Sequence, residues 1–421
     1  MARGGKGTTR NSKTGKWYIK GIPINKKRIN KQYKQFRLTQ TIPSNPVIES
    51  FAQAGIDLYI VGGSVRDILV GEIPSDLDFT TPATPEKIRE IVNPLGSMWD
   101  VGEKFGTVGV IINNEKIEIT TFRTEQYIPG SRKPDVAFTT SLKEDLARRD
   151  FTVNAIAIKV PGNKIIDPFN GYADLQKKIL RSPSNPTKMV RDDPLRILRA
   201  IRFWSVRSFV PDRNLKKVIK QEKDRLSEIS VERCSDELHK ILKAGGIKLA
   251  SAIEKARRFG MSKYLIGIDT NFPISQLKKT NNKIALLGIM FYNVDTKTAL
   301  CNLKMPNYIA NRVGLAKFVA NSLMHSNTLS LRSLIRQYDD ETLDAGIEIF
   351  KAINGNIDAI EAISSCRKDS IKIRAPLPVS GHDIVALGIS GPEVGKALEN
   401  VTNAFLLNSS LTKNEALKLI V

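Results

Sequence analysis

The alternation of apolar and polar positions divides the chain into a front part that mixes strand and helix patterns and a rear part that is helical throughout. Leu58-Tyr59-Ile60-Val61 is a β-rich apolar run that meets a Gly62-Gly63-Ser64 turn. Apolar residues then fall at 65, 68 and 69, so the spacing predicts strand, turn and short helix. Val108 to Ile112 and Lys116 to Thr120 flank Asn113-Asn114-Glu115, a hairpin signature. Two further strands, Ala155 to Val160 and Lys164 to Asp167 around Pro161-Gly162-Asn163, are expected to complete a mixed sheet. Beyond about residue 186 helical patterns take over. Arg191 to Phe203 carries Asp193 as a cap and Pro194 at the first helical position. Arg196, Arg199 and Arg202 recur every third residue and form a stripe with Asp193, while Leu195 and Leu198 point elsewhere. Helical patterns continue from 245 to about 370 without an internal repeat. The class predicted is α+β, a mixed-sheet head followed by an all-α remainder.

Composition changes this picture in one respect, the partner. At 421 residues the chain is long enough for two or more domains, and its formal charge is +22. Such an excess points to a polyanion, because basic side chains gain affinity by releasing counterions from phosphates. An anionic membrane would attract the same charge, but no apolar run approaches the length needed to span a bilayer.

Residues 1 to 46 hold twelve Lys or Arg and no acid, the first carboxylate being Glu49. With no sustained period, this stretch is expected to be a basic, mostly disordered arm. Its Trp17, Tyr18, Tyr33 and Phe36 offer faces for bases and its cations offer contacts to RNA phosphates. A transit peptide is the competing reading, against which stand the lysine richness and the lack of an amphipathic helix. An arm of no specific function is the third. Cys234, Cys301 and Cys366 are far apart and lack metal-ligand spacing, which suits a reducing compartment such as the cytoplasm. His382-Asp383 lacks the further ligands of a metallophosphohydrolase and reads as a helix entry.

Candidate chemistry begins at the glycine turn. Glycines let a backbone approach a ligand closely, and amides at a helix start favour an anion, so Gly62-Gly63-Ser64 is either a phosphate cradle or simply a tight turn. Asp76 and Asp78, two apart on an expected strand, would present their carboxylates side by side. Like charges that close repel unless a cation sits between them, and a hard ion such as Mg²⁺ is the natural guest. Two acids on a solvated loop are the alternative. Glu118, on the second hairpin strand, is either a third carboxylate or a solvent-facing glutamate.

Taken together, Gly62-Gly63-Ser64-Val65-Arg66-Asp67 and Asp76-Leu77-Asp78 resemble the nucleotidyltransferase superfamily. The branch is that of class II CCA-adding tRNA nucleotidyltransferases and bacterial poly(A) polymerases. Glu144-Asp145-Leu146-Ala147-Arg148-Arg149-Asp150-Phe151-Thr152-Val153-Asn154-Ala155 is similar to the family's Arg-Arg-Asp-Phe-Thr-x-Asn-Ala motif. The resemblance implies that Arg149 contacts the triphosphate and Asp150 the ribose. Asp167-Pro168-Phe169-Asn170-Gly171 resembles the exit turn of the family's head.

Asp192-Asp193-Pro194-Leu195-Arg196, continued by Arg199 and Arg202, resembles the family's protein template, Glu-Asp-x-x-Arg-x-x-Arg, with Asp192 in place of the glutamate. By that resemblance Asp193 and Arg196 read the incoming base, while Arg199 and Arg202 lie toward the triphosphate. The chemistry agrees, since cytosine and adenine each offer an amine beside a ring-nitrogen acceptor, and uracil and guanine reverse that pattern. Ile229 to Leu242 resembles the element joining the neck helices, and Pro378 to Leu398 resembles the tail of CCA-adding enzymes. One departure is the loop Tyr127 to Pro134, which lacks the Asp shortly before an Arg that is common there and that bears on the switch from adding C to adding A.

The resemblance thus implies a polymerase-β-like head at 47–185, a helical neck at 186–245, and a body and tail at 246–421 on a tRNA acceptor end, after the arm at 1–46. It implies addition of CCA from CTP and ATP, with Asp76 and Asp78 holding Mg²⁺ and Gly62, Gly63, Arg66, Arg149, Asp150, Asp193, Arg196, Arg199 and Arg202 binding the nucleotide. No membrane and no obligate protein partner are implied. Poly(A) addition, addition of only the terminal A or only the two Cs, and an inactive RNA-binding scaffold are the rivals.

Overall fold

The computed structural model describes residues 8–10, 17–19, 45–72, 74, 76–100, 106–126, 135–267 and 272–420. The loop Tyr127 to Pro134 and most of the basic arm lie outside these residues. Within the arm, which was expected to be mostly disordered, β1 (Thr8–Arg10) pairs antiparallel with β2 (Trp17–Ile19). The chain divides into two compact units, Met1–Leu226 and Ser227–Val421. The break falls inside the stretch that the sequence sets off as a neck.

The first unit runs α1 (Pro46–Gln53), β3 (Leu58–Val61), α2 (Gly63–Leu69), β4 (Asp78–Thr81), α3 (Pro85–Val92), β5 (Ser97–Asp100), β6 (Thr107–Ile112) and β7 (Glu115–Thr121). It continues through β8 (Arg123–Gln126), β9 (Asp135–Phe138), α4 (Leu142–Ala147), β10 (Ala157–Val160), β11 (Lys164–Ile166) and α5 (Gly171–Lys177). It ends with β12 (Ile179–Leu180), α6 (Pro186–Asp192), α7 (Leu195–Val206), β13 (Val210–Pro211) and α8 (Arg213–Glu222).

The main sheet has the order β11-β10-β3-β4-β7-β6-β5. Only β4 and β7 run parallel within it, which makes it the mixed sheet that was expected. β3 lies near its centre, and every one of its four residues is buried. Tyr59 and Val61 pack on one face with Phe122, Leu146, Ala155 and Ala157. That burial is why the apolar run is continuous and not alternating. The hairpin β6–β7 turns at Asn113 and Asn114, both with left-handed backbone, φ 51° and 63°. Asparagine accommodates that geometry better than most residues, so the sequence chose the turn.

Two expectations need correction. β4 begins at Asp78, so Asp76 lies in the bend before it and strand alternation does not pair the two carboxylates. Instead the Ser64 hydroxyl fixes that corner, donating to the Asp76 carbonyl at 2.9 Å and accepting from the Asp78 amide at 3.3 Å. At the arginine helix, Pro194 occupies the cap position and α7 starts one residue later. Asp193 still serves the helix entry, its Oδ1 accepting the Leu195 amide at 3.2 Å.

The second unit is helical among its described residues. Its C-terminal part packs Val379, Val401 and Ala416 with Leu411, Leu417 and Ile420. Ser380 caps the helix Gly381–Val385 reciprocally with Asp383, so His382-Asp383 is a helix entry as expected. Cys234, Cys301 and Cys366 are all free. Among the described residues no helix is long and apolar enough to cross a membrane.

Candidate active site

The site is built where the Gly62 turn, the start of β4 and the end of α4 meet. Asp78 is the register partner of Glu118 in the parallel β4–β7 pair, so the two side chains share a face of the sheet. Both residues, and Asp76 beside them, are exposed. The Asp78 carboxyl nevertheless has protein packed around it. That partial burial, then the neighbouring carboxylates of Asp76 and Glu118, push its pKa up, with Arg149 pulling the other way. Three acids therefore crowd one edge, where their mutual repulsion outweighs the pull of Arg149 on Asp78.

Gly62 forms the floor of this corner. Its backbone, φ 73° and ψ −132°, is one that residues with a Cβ rarely adopt. A Cβ there would touch Arg149 Nη1 at 3.4 Å and Asp78 Oδ2 at 3.5 Å. The turn, the acid and the arginine thus border one small volume. No side chain caps the entry of α2 at Gly62. A Cβ at Gly63 would meet Arg66 Nη2 at 3.4 Å.

The other expected nucleotide contacts form a connected web. Arg66 is buried and donates to Asn154 Oδ1 at 2.7 Å, pairs with Asp67 at 3.1 Å, and lies 5.4 Å from the centroid of the Phe203 ring. Asn154 Nδ2 donates to Asp150 Oδ1 at 2.9 Å. Asp150 also accepts the Phe151 amide at 2.8 Å, and its Oδ2 accepts Arg199 Nε at 2.8 Å and Nη2 at 2.7 Å. Burial alone would raise the Asp150 pKa, but Arg199, Asn154 and Arg196 bring it down to about 2. In this conformation Asp150 is the anchor of Arg199. Arg202 lies 4.9 Å from the centroid of the same Phe203 ring, a cation–π contact.

Arg196 donates through Nη2 to the Arg148 carbonyl at 2.7 Å and through Nη1 to the Met189 carbonyl at 3.3 Å. Asp193 sits one turn before it. Asp192, which replaces the family's glutamate, pairs with Lys188 at 2.8 Å.

Several residues of this web escaped sequence reasoning. Asp145 is wholly buried and accepts Arg148 Nη2 at 2.7 Å and Arg149 Nη2 at 3.2 Å. Its spacing of three and four from those arginines on a helix end was a usable signal. Ser64 and Asn154 stood inside quoted motifs without a role given to them, and Glu125 carried no comparable local mark.

Among the described residues no three His, Cys, Asp or Glu side chains converge into a ready-made metal cage. The donor set suits Mg²⁺ all the same. That ion binds through one or two carboxylates plus waters and substrate phosphates, and an open acidic edge is what such coordination uses.

Comparison with known proteins bears on most of the chain. Residues 58–181 match the poly(A) polymerase head domain, and residues 208–267 match a probable RNA and SrmB-binding site of polymerase A. The CCA-adding enzyme of Lactobacillus johnsonii is 33% identical over 391 residues, spanning 88% of this chain and 94% of that protein. The chain belongs to the family of CCA-adding tRNA nucleotidyltransferases and poly(A) polymerases. A second family member, the CCA-adding enzyme of Lactobacillus helveticus, is 42% identical over 201 residues, 48% of this chain and 49% of that one. The Bacillus stearothermophilus CCA-adding enzyme in complex with CTP superposes with a TM-score of 0.71 at 30% identity, covering 86% of this chain and 91% of that one. The Thermotoga maritima CCA-adding enzyme complexed with tRNA shares the fold, with a TM-score of 0.64 at 24% identity over 89% of this chain and 93% of that one. The family and the fold expected from the motifs are therefore borne out.

Proposed function

We propose that this chain is a template-independent nucleotidyltransferase that completes tRNA 3′ ends with C, C and A, taking CTP and ATP and releasing pyrophosphate. The observation that carries the proposal is the exposed edge of Asp76, Asp78 and Glu118 beside Gly62 and Arg149. Kinship over most of the chain with CCA-adding enzymes supports the substrate assignment.

In the reaction the tRNA 3′ hydroxyl attacks the α-phosphorus of the nucleotide, and pyrophosphate leaves. Bound by Asp76 and Asp78, with Glu118 as a further ligand candidate, Mg²⁺ supplies activation of the hydroxyl and neutralisation of the leaving charge. Arg149 faces the same corner and binds the triphosphate with a guanidinium fork suited to phosphate oxygens. Glycines 62 and 63 let the phosphates approach the backbone, and Arg66, Arg199 and Arg202 add positive charge behind them. Asp193 accepts from the exocyclic amine of cytosine or adenine, while Arg196 donates to their ring and carbonyl acceptors. Asp150 meets the ribose once Arg199 turns to the nucleotide. Most of the rate comes from positioning and charge. The cytoplasm, where tRNA and both nucleotides are available, is the proposed compartment.

The test incubates purified protein with tRNA lacking CCA, Mg²⁺ and each nucleotide alone or combined, then sequences the 3′ ends. Ends reading CCA are expected. Long A tails would instead establish poly(A) addition, one or two residues would establish a partial enzyme, and no extension in any mixture would leave an RNA-binding scaffold.

A further inference from the structure

Glu125 stands outside every motif discussed above, yet it lies at the centre of the charge web that holds the base-reading arginine. On β8 it is two residues from Arg123 and its side chain is only 8% exposed. Its Oε1 accepts Arg123 Nε at 3.2 Å, Arg123 Nη2 at 2.9 Å and Arg148 Nη1 at 2.7 Å. Arg148 in turn grips Asp145 Oδ1 with Nε at 3.0 Å and Nη2 at 2.7 Å. The same residue's carbonyl receives Arg196 Nη2 at 2.7 Å.

Arg148 therefore has an acid on each side, and its main chain is the seat of Arg196. Burial by itself would raise the pKa of Glu125, but Arg148, Arg123 and Arg196 keep it ionised and below its usual value. A buried carboxylate that balances several guanidiniums is costly to remove, because the cations left behind lose their counter-charge without regaining water.

We propose that Glu125 is a positioning residue for nucleotide selection. It acts through Arg148 to set where the Arg196 guanidinium meets the base edge, and it takes no part in phosphoryl transfer. The proposal rests on the assignment of Arg196 as base reader. Its physical basis is that discrimination between cytosine and uracil depends on donors placed to within a fraction of an ångström. Releasing Arg148 from β8 lets its carbonyl, and with it Arg196, drift. The acidic edge at Asp78 is held separately by Ser64 and is untouched.

The experiment compares wild type, Glu125→Gln and Glu125→Asp in single-nucleotide addition to tRNA lacking CCA, measuring kcat and KM for CTP and for UTP. Glu125→Gln is expected to lower the preference for CTP over UTP about tenfold, the size of one lost charge-assisted hydrogen bond. The loss should appear as a higher KM for CTP with kcat little changed, and Glu125→Asp should restore most of the preference. Arg148→Lys keeps the charge but loses the fork, so it should reproduce the Gln phenotype, and the double variant should be no worse than either single. Should Glu125→Gln fail to fold, Arg148→Lys alone decides, an unchanged CTP preference overturning the proposal. A uniform fall in kcat for both nucleotides with an unchanged ratio overturns it too, since that is what a merely structural residue would do. Wild type that discriminates normally beside a Glu125→Gln that does the same overturns the Glu125 role and leaves the overall activity standing. Wild type that extends nothing overturns both.

Discussion

Two sets of carboxylates in the first unit meet opposite electrostatic fates. Asp76, Asp78 and Glu118 crowd an exposed edge, and the Asp78 pKa is driven up by burial and by its acidic neighbours. Asp145, Asp150 and Glu125 are buried among guanidiniums, and for all three the cations outweigh burial and hold the pKa down. The contrast separates acids whose pKa the surrounding guanidiniums hold down from an acidic edge where burial and neighbouring carboxylates outweigh Arg149. The first kind fixes geometry and the second can do chemistry.

The sharpest way to break this contrast is to remove one charge from each set. Asp78→Asn should reduce nucleotide addition about a thousandfold or more while tRNA binding survives. Its thermal midpoint should not fall, because the substitution relieves repulsion, and a clear drop on melting would move Asp78 into the structural set. Arg196→Ala should cost about ten- to a hundredfold in nucleotide discrimination, more than it costs in tRNA affinity. Equal discrimination by wild type and variant would remove Arg196 from base reading.

Asp150→Asn should destabilise the fold by about 2 kcal/mol near neutral pH, from a pKa lowered from 3.8 to about 2. The sign follows from linkage. A depressed carboxylate contributes its stability above the unfolded pKa and loses it as pH falls through the folded one. The gap between wild type and Asp150→Asn in denaturant melts should therefore be full above about pH 4 and close toward pH 2. A gap that stays constant with pH would mean the loss is one of packing. The smallest effect, about tenfold on the rate, is expected for Glu118→Gln, and an unchanged rate would make Glu118 a plain strand glutamate.

Much of the first set was legible in the sequence and little of the second. The run Leu58–Val61, the Gly62 turn and the helix to Leu69 fell where apolar spacing and glycine placed them, because local backbone preference and burial agree there. The turn at Asn113-Asn114 was equally local. Strand periodicity misplaced Asp76, since nothing in the pattern says that β4 starts two residues later. The web was hidden for a different reason. Arg66 and Asn154 meet across 88 residues of chain, and Glu125 and Arg148 across 23, so only the folded sheet brings them together. Asp145 with Arg149 was the exception, a local pair readable from its spacing of four. The family motifs drew attention to Arg149, Asp150 and the α7 arginines but gave no role to Asp145 or Glu125, the acids on either side of Arg148.

The claim on which this account turns is that the exposed acidic edge is where the chemistry happens. Its direct measurement is the rate of C addition to tRNA lacking CCA, across a Mg²⁺ titration, for wild type and Asp78→Asn at equal tRNA occupancy. The account predicts a wild-type rate that rises with Mg²⁺ and saturates, and an Asp78→Asn rate that stays at background at every concentration. An Asp78→Asn curve that follows the wild-type curve would contradict it.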